Sequence, residues 1–533
     1  MTRSLQLATV LAASVVVCIY LTYGLGRSLW LDEANSVFIA NGSPKHIIDS
    51  LSRDISPPLY YFVLSGWIRL FGDSEIALRL PSVLFYLAGV CAMWYLGRML
   101  LGAAGAGVVS FIYAVNPIVG RQAQNARMYT MLALIVALSM IVFVILIRDK
   151  ARRVPGWFAL FGLIAFLGLN THYWFAFVLV AYACWLIFSW RSWSVRQLGL
   201  LGIFIVVPFL VIDLPLFLHQ NQLPAALWTP RPKIGALIRV IGANFGFSKA
   251  HIVGAIVGAI ALSSPILWSV LRRRYNWQPP VLHSAFFAGF LYTVAIAVPF
   301  LVSMRRPIFF PGRYDIIAVP FFALFAASLL LCLPLTPRIL FQFLLAGSCA
   351  VYFVQSVRDA QTTGELATLD PVPLADRAAA NAICEESAPG DFVIYTGLSR
   401  AAVSYYLQRF HCTGKLKQVS FPAEFEHHLG WQDPRRNYSQ EPAMKREAES
   451  EVATAYASGS RIFLLFQPDV RLSGGIVTPI ERLYRKTSSQ PFRSCLPCFN
   501  ELRVYVPKSL SGKSNASLNN HASPDVLLAR QQP

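Results

Sequence analysis

Over the first two-thirds of the chain, long apolar runs alternate with short basic or polar breaks. The last third mixes polar and apolar positions as a water-soluble domain does. A membrane-crossing helix needs about 20 mostly apolar residues. By that measure the runs predict spans over roughly 5–25, 79–100, 103–120, 128–147, 157–172, 174–190, 198–217, 251–271, 283–303, 316–334 and 338–356, about eleven in all. The first run follows a basic start and lacks a small-residue cleavage site before Arg27, so it reads as a retained helix.

The break at 26–78 is long enough to carry structure of its own. Asp32 to Asp49 has an amphipathic pattern, with Ala34, Val37, Phe38, Ile47 and Ile48 as its apolar positions. Pro57-Pro58 opens a second apolar stretch, Leu59 to Phe71; prolines suit a helix start because the first turn needs no N–H there. That stretch is too short to span and is expected to lie in the interface or to re-enter.

Beyond Ser356, residues 372–388 and 399–410 read as helices, and 391–396, 461–466 and 502–506 as strands, a small α/β domain. Residues 509–533, rich in Ser, Asn, Pro and Gln, read as a disordered tail. The expected organisation is a membrane module over 1–356, with 26–78 as its first outer loop, then an extracytoplasmic α/β domain over 357–508.

Composition sharpens this picture. Of 533 residues, 55% are hydrophobic and only 14% charged, against about 25% charged in an average soluble domain. The net charge of +19 does not point to nucleic acid, because the basic residues sit in the breaks between apolar runs. With the N-terminus in the cytoplasm, Arg98, Arg148–Arg153, Arg191–Arg196, Arg272–Arg274 and Arg338 all fall inside, as the positive-inside bias requires. The breaks 26–78, 121–127, 218–250 and 304–315 fall outside, and so does the C-terminal third. Of nine cysteines, five lie in apolar runs as packing residues, whereas Cys384, Cys412, Cys495 and Cys498 could form two disulfides in an oxidising compartment. The single CxxC at Cys495–Cys498 is weak support for zinc.

The candidate chemistry gathers in the outer breaks. Asp32 and Glu33 follow the first span; they suit a general base with an orienting neighbour, or a helix cap at Asp32. Asp54, before Pro57-Pro58-Leu-Tyr60-Tyr61, either faces the same cavity or serves a turn. Arg121-Gln-Ala-Gln124-Asn125-Ala-Arg127-Met-Tyr129 offers many donors at one depth, as a phosphate ligand needs; a snorkelling interfacial loop is the plainer alternative. His172, in Asn-Thr-His-Tyr-Trp, is a candidate ligand for a metal or a sugar hydroxyl, or an interfacial residue. Arg305, Arg306 and Arg313, beside Tyr314 and Asp315, are outer arginines that run against the positive-inside bias, which favours a ligand's anionic lipid phosphate as partner; local pairing with Asp315 or with anionic lipid headgroups is the plainer alternative. Asp213, near the end of its run, is an intramembrane carboxylate of lower rank.

In this order, Leu31-Asp32-Glu33, Pro57-Pro58-Leu-Tyr60-Tyr61, Arg79-Leu-Pro-Ser82, Gln124-Asn125-Ala-Arg127-Met-Tyr129 and Gly312-Arg313-Tyr314 resemble the bacterial relatives of the protein O-mannosyltransferases, a group that includes the aminoarabinose transferases acting on lipid A. The resemblance is best over about 25–145 and 305–330. It implies a GT-C fold, a bacterial inner-membrane location, and an inverting transfer of a hexosyl or pentosyl group from a polyprenyl-phosphate donor at the outer face. By position it implies Asp32 as base with Glu33 beside it, and Arg313 with Arg127 on the lipid phosphate. Tyr60, Gln124, Asn125, Tyr129, His172, Arg306, Tyr314 and Asp54 complete the expected substrate-binding set. Two departures stand out: Ser56 replaces the Lys or His that many relatives carry before the proline pair, and no acidic residue follows Arg127 near Thr130. No metal site is therefore carried over, and a divalent metal stays an open alternative.

The chemistry is consistent with such a donor. A lipid phosphate is already a good leaving group, so positive charge on the departing phosphate and a base on the acceptor hydroxyl suffice. The expected partners are the lipid-linked sugar, an acceptor (glycan, lipid or protein) and the membrane itself. A transporter or flippase is the main alternative, but it more often shows internal symmetry, and none is visible here. A polysaccharide polymerase or ligase would place its key residues in later loops.

Overall fold

The computed structural model describes residues 2–22, 25–223, 229, 231–246, 279–363, 376–426, 429, 437–467, 473–493 and 499–508. The chain divides into two compact units: Met1–Arg27 with Ser36–Thr362, and Ser28–Asn35 with Thr363–Pro533.

The first unit is helical. α1 is Thr2–Thr22, α2 Leu31–Ala40 (entering this unit at Ser36), α3 Pro44–Leu51 and α4 Leu59–Phe71. α5 (Glu75–Val115) holds two of the expected spans in one run, broken at Gly102, whose φ is +74°. Next come α6 (Pro117–Ala123), α7 (Tyr129–Arg148), α8 (Pro155–Thr171), α9 (Phe175–Ser189), α10 (Val195–Pro208), α11 (Leu214–Gln222) and α12 (Ile234–Asn244). α13 (Pro279–Ser303), α14 (Val319–Leu331) and α15 (Leu335–Thr363) complete the unit. Six described helical segments are long and apolar enough to cross a membrane: Glu75–Val115, Tyr129–Arg148, Val195–Gln222, Val281–Ser303, Tyr314–Leu331 and Leu335–Val354. α8 and α9, with 17 and 15 residues, are apolar but shorter. The expected span at 251–271 lies outside the described residues. This is a multi-pass helical membrane protein.

Local chemistry explains the breaks. α3 starts where the Ser43 side chain accepts from the His46 N–H, with Pro44 in the first turn. The expected amphipathic stretch is thus two helices, parted at 41–43. α4 begins directly after Pro58 and ends at Gly72, whose φ of +77° only glycine adopts freely. α5 is capped by Ser74, and α6 by Asn116, whose side chain accepts from the N–H groups of Ile118 and Val119 ahead of Pro117.

In the second unit a five-stranded sheet has the order β2-β1-β3-β5-β4. The strands are β1 Phe392–Thr396, β2 Lys417–Phe421, β3 Ile462–Phe466, β4 Tyr484–Arg493 and β5 Phe499–Pro507. β2, β1 and β3 run parallel; β5 is antiparallel to β3, and β4 to β5. β1 and β3 are buried at every position, which is why they read as unbroken apolar runs. The helices are α16 Asp376–Glu386, α17 Arg400–Arg409, α18 Pro442–Ala457 and α19 Ser473–Leu483. Ala448, Val452 and Ala455 of α18 and Ile476 and Ile480 of α19 pack in one core with Phe392, Ile394, Ile462 and Leu464. Asp391 ties the two central strands at their start, accepting from the Arg461 backbone N–H at 3.0 Å and from its guanidinium at 2.8 Å. Cys384 and Cys412 form one of the expected disulfides; Cys495 and Cys498, like the expected tail at 509–533, lie outside the described residues.

Candidate active site

Within the helical unit, the Arg79-Leu-Pro-Ser82 motif is a clamp on two loops. Arg79 is fully buried on α5 and donates to the carbonyls of Leu25 at 2.6 Å and Arg27 at 2.9 Å. One turn on, the Ser82 hydroxyl donates to the Asn125 carbonyl at 2.6 Å and the Arg127 carbonyl at 3.3 Å. The loop 124–128, between α6 and α7, is thereby fixed from below.

Gln124 and Asn125 face the protein from this loop. The Gln124 side-chain amide donates to the Tyr20 carbonyl and, at 3.4 Å, to that of Ile19, while the Gln124 backbone carbonyl accepts from Arg27 at 2.6 Å. The Asn125 amide donates to Gln122 Oε1 at 3.1 Å. Both side chains hold the loop. Arg127, 8% exposed, reaches the Ser36 hydroxyl at 3.1 Å and the Tyr61 hydroxyl at 3.4 Å. Burial raises the Tyr61 phenol to about 12, the Arg127 charge opposes the rise, and Asp54 adds to it. Asp54 itself accepts from the Ser56 hydroxyl at 3.2 Å. Asp54, Ser56, Tyr61 and Arg127 therefore form one polar chain. Tyr60 is fully buried with its ring edge-on to Tyr61, at 5.8 Å between centroids.

His172 lies where α8 ends. Its ring centre is 4.9 Å from Tyr314 and 6.2 Å from Tyr129, and Trp174 is 5.3 Å from Tyr314. Nδ1 accepts from the Trp174 N–H at 3.1 Å, so the neutral ring carries its proton on Nε2 as a donor. Burial lowers the imidazole pKa first, and the charges of Arg127 and Arg313 lower it further. Two guanidinium groups from distant parts of the chain thus bear on one neutral histidine.

Arg313 is 7% exposed and lies over the Phe310 ring at 4.9 Å. Its turn is held from α6: Arg121 donates to the Gly312 carbonyl, and the Gln122 amide reaches it at 3.5 Å. Gly312 has a φ of +79°. Asp315, 1% exposed, has Arg121 as its charged neighbour, rather than the nearby arginines of its own loop. Arg306 stands apart from this cluster and donates to the Asn221 carbonyl at 2.7 Å. Of Arg305, Arg306 and Arg313, only Arg313 bears on His172 among the described residues. Sequence reasoning missed Ser36, which nothing local marks; Tyr61 and Arg121 stand in the quoted motifs but outside the expected substrate-binding set.

In the second unit, Asp32 and Glu33 occupy the first turn of α2. Glu33 is fully buried and accepts from the Trp30 N–H at 3.4 Å, reaching back to the helix start. Asp32 is partly exposed. The Leu29 N–H donates to the Tyr406 hydroxyl of α17 at 2.8 Å. Among the described residues, no three His, Cys, Asp or Glu side chains form a group able to hold a metal ion.

Residues 56–212 match the family model described as dolichyl-phosphate-mannose-protein mannosyltransferase. Among solved structures, ArnT from Cupriavidus metallidurans in the apo state matches with a TM-score of 0.60 at 16% identity, over 95% of this chain and 98% of that one. ArnT from the same organism bound to undecaprenyl phosphate matches at 0.58 and 15% identity, over 94% and 98%. No curated protein sequence matches the chain. The fold is the GT-C fold that ArnT has, and the expected resemblance to the protein O-mannosyltransferases holds for the matched segment.

Proposed function

We propose that this protein is an inverting glycosyltransferase of the bacterial inner membrane that moves a hexosyl or pentosyl group from a polyprenyl-phosphate donor to an acceptor at the outer face. One observation carries the reading: Arg127 and Arg313 both bear on His172, beside Tyr129 and Tyr314. Two buried cations and a neutral N–H donor suit a phosphate that gains charge as it leaves. The family model over 56–212 and the ArnT fold agree with it, and one ArnT structure holds undecaprenyl phosphate. The Cys384–Cys412 disulfide supports a C-terminal unit outside the cytoplasm.

In this reading the acceptor oxygen attacks the anomeric carbon, the bond from that carbon to the phosphate oxygen breaks, and polyprenyl phosphate leaves with the electron pair. Asp32 takes the acceptor proton. It is favoured over Glu33 because Glu33 is fully buried and engaged with the Trp30 N–H, whereas Asp32 keeps exposure.

The test is transfer from a panel of radiolabelled polyprenyl-phosphate sugars in membranes, comparing the intact protein with Asp32→Asn and Glu33→Gln. Loss of transfer of about 100-fold or more in Asp32→Asn at normal expression is expected. Unchanged transfer in that variant removes Asp32 as base. No transfer by the intact protein from any donor sinks the enzymatic reading in favour of transport.

A further inference from the structure

The mechanism above leaves the carboxylate of Asp213 without a task. It closes a π-helical turn, Phe209–Asp213, set between α10 and α11. Such turns insert an extra residue and are frequent at functional sites. Within this turn Val211 and Ile212 are 71% and 60% exposed, whereas Asp213 is 7% exposed. A carboxylate turned inward within an apolar segment is unfavourable unless something there needs it.

Among the described residues its partners are polar but uncharged. Oδ2 accepts from the Asn170 amide at 2.9 Å, and that amide also donates to the Phe166 carbonyl at 3.0 Å. Tyr173 lies close by: its phenol pKa is raised by burial first and then by the Asp213 charge. The Tyr173 hydroxyl donates to Gln220 Oε1 at 2.6 Å, and the Gln220 amide donates to the carbonyls of Leu51 and Ser56 at 2.8 and 3.1 Å. The Phe217 ring packs edge-on against Tyr173 at 4.9 Å. With both Asn170 N–H groups engaged, the carboxylate and the amide oxygen beside it are left to accept from neighbouring hydroxyl groups, and aromatic rings cover a C–H face. That is the chemistry of a saccharide.

The segment 170–174 joins this group to the phosphate-binding candidates. Asn170 and Tyr173 serve the Asp213 side, while His172 between them packs with Tyr129 and Tyr314 and feels Arg127 and Arg313. A sugar bonded directly to a phosphate at His172 would have its hydroxyls within one short loop of Asp213. We infer that Asp213, with Asn170, is a hydroxyl-binding subsite for the sugar of the lipid-linked donor and helps to determine which sugar is accepted. The inference rests on the proposed function, because it takes the arginine cluster as the phosphate site.

The experiment is equilibrium binding to the purified full-length protein of two ligands, polyprenyl phosphate alone and the polyprenyl-phosphate sugar most active in transfer. Asp213→Asn and, as a milder second variant, Asn170→Ala are each compared with the intact protein. The expected result is affinity for polyprenyl phosphate within about twofold of the intact protein, with the sugar-bearing ligand weakened about tenfold. Donors differing in the configuration of one hydroxyl should also be discriminated less by Asp213→Asn. Equal weakening of both ligands in both variants indicates a purely structural role and overturns the subsite, as does no change in either. Failure of the intact protein to bind either ligand overturns the glycosyl-transfer reading and the subsite with it, so the two failures are distinguishable.

Discussion

Replacing Gly312 with alanine perturbs the turn that carries Arg313 and Tyr314 without touching either side chain. The backbone φ at Gly312 is +79°, a region that costs an L-residue about 1–2 kcal/mol. A Cβ placed there would lie 2.8 Å from Arg121 Nη2, so the guanidinium has to withdraw from the Gly312 carbonyl. A hydrogen bond from a charged donor contributes about 1.5–3 kcal/mol. The local penalty is therefore about 2.5–5 kcal/mol by these two terms together. Helices α13 and α14 flank the loop, so the penalty falls on its geometry rather than on the whole unit. If only a third of it has to be recovered when a phosphate binds, affinity falls about tenfold, since 1.4 kcal/mol is one decade. The assay is equilibrium binding of polyprenyl phosphate to purified Gly312→Ala. Gly72→Ala is the control, because Gly72 has the same sign of φ, +77°, with nothing within 4 Å of where a Cβ would lie. The expected outcome is a loss of tenfold or more in Gly312→Ala and little change in Gly72→Ala. Binding by Gly312→Ala within twofold of the intact protein refutes the role given to this turn. So does an equal loss in both variants, which would assign the effect to backbone strain anywhere.

The imidazole of His172 is held below its ordinary pKa by burial and by two arginines, so the folded protein resists protonation there while the unfolded chain takes up a proton near pH 6.5. Its contribution to stability is therefore present above about pH 6.5 and is lost as pH falls below it; melting temperature should decline less steeply between pH 7 and 5 in His172→Gln than in the intact protein. An identical decline in both would show that His172 is not the group responsible. The Cys384–Cys412 disulfide closes a loop with a sequence separation of 28, which in the chain-entropy model stabilises by about 3–4 kcal/mol. Reduction should lower the unfolding temperature of the C-terminal unit, and in intact cells a membrane-impermeant maleimide should label these cysteines only after an impermeant reductant. Labelling without reductant would contradict the bond, and absence of labelling after reduction would contradict the outer location.

What the sequence discloses follows from the range of the interactions involved. Apolar runs are a local signal, so α7, α8, α9 and α13 stand close to their expected positions, and the strands β1 and β3 are visible because both faces are buried. β2, Lys417–Phe421, and β4, Tyr484–Arg493, escaped because they are polar edge strands, and β4 contains Pro491. Their strand character comes from pairing with β1 and β5, which no local pattern encodes. The site divides along the same line. Residue type and outer location were enough to single out Arg127, His172 and Arg313, which the structure brings together from three separate breaks. The same criteria gathered Gln124, Asn125 and Arg306, because donor capacity is legible in a sequence whereas its direction is not. Whether an amide faces a ligand or a backbone carbonyl depends on partners about 100 residues away, as Gln124 on Tyr20 illustrates. The turn that presents Arg313 is the extreme case. Its anchor, Arg121 on the Gly312 carbonyl, spans 191 positions, and Asp315 takes its charged neighbour from α6 rather than from the arginines beside it in sequence. A run of arginines expected outside suggests an anion site from the sequence, but how each of them is held is decided by carbonyl and glycine geometry that only the folded chain contains.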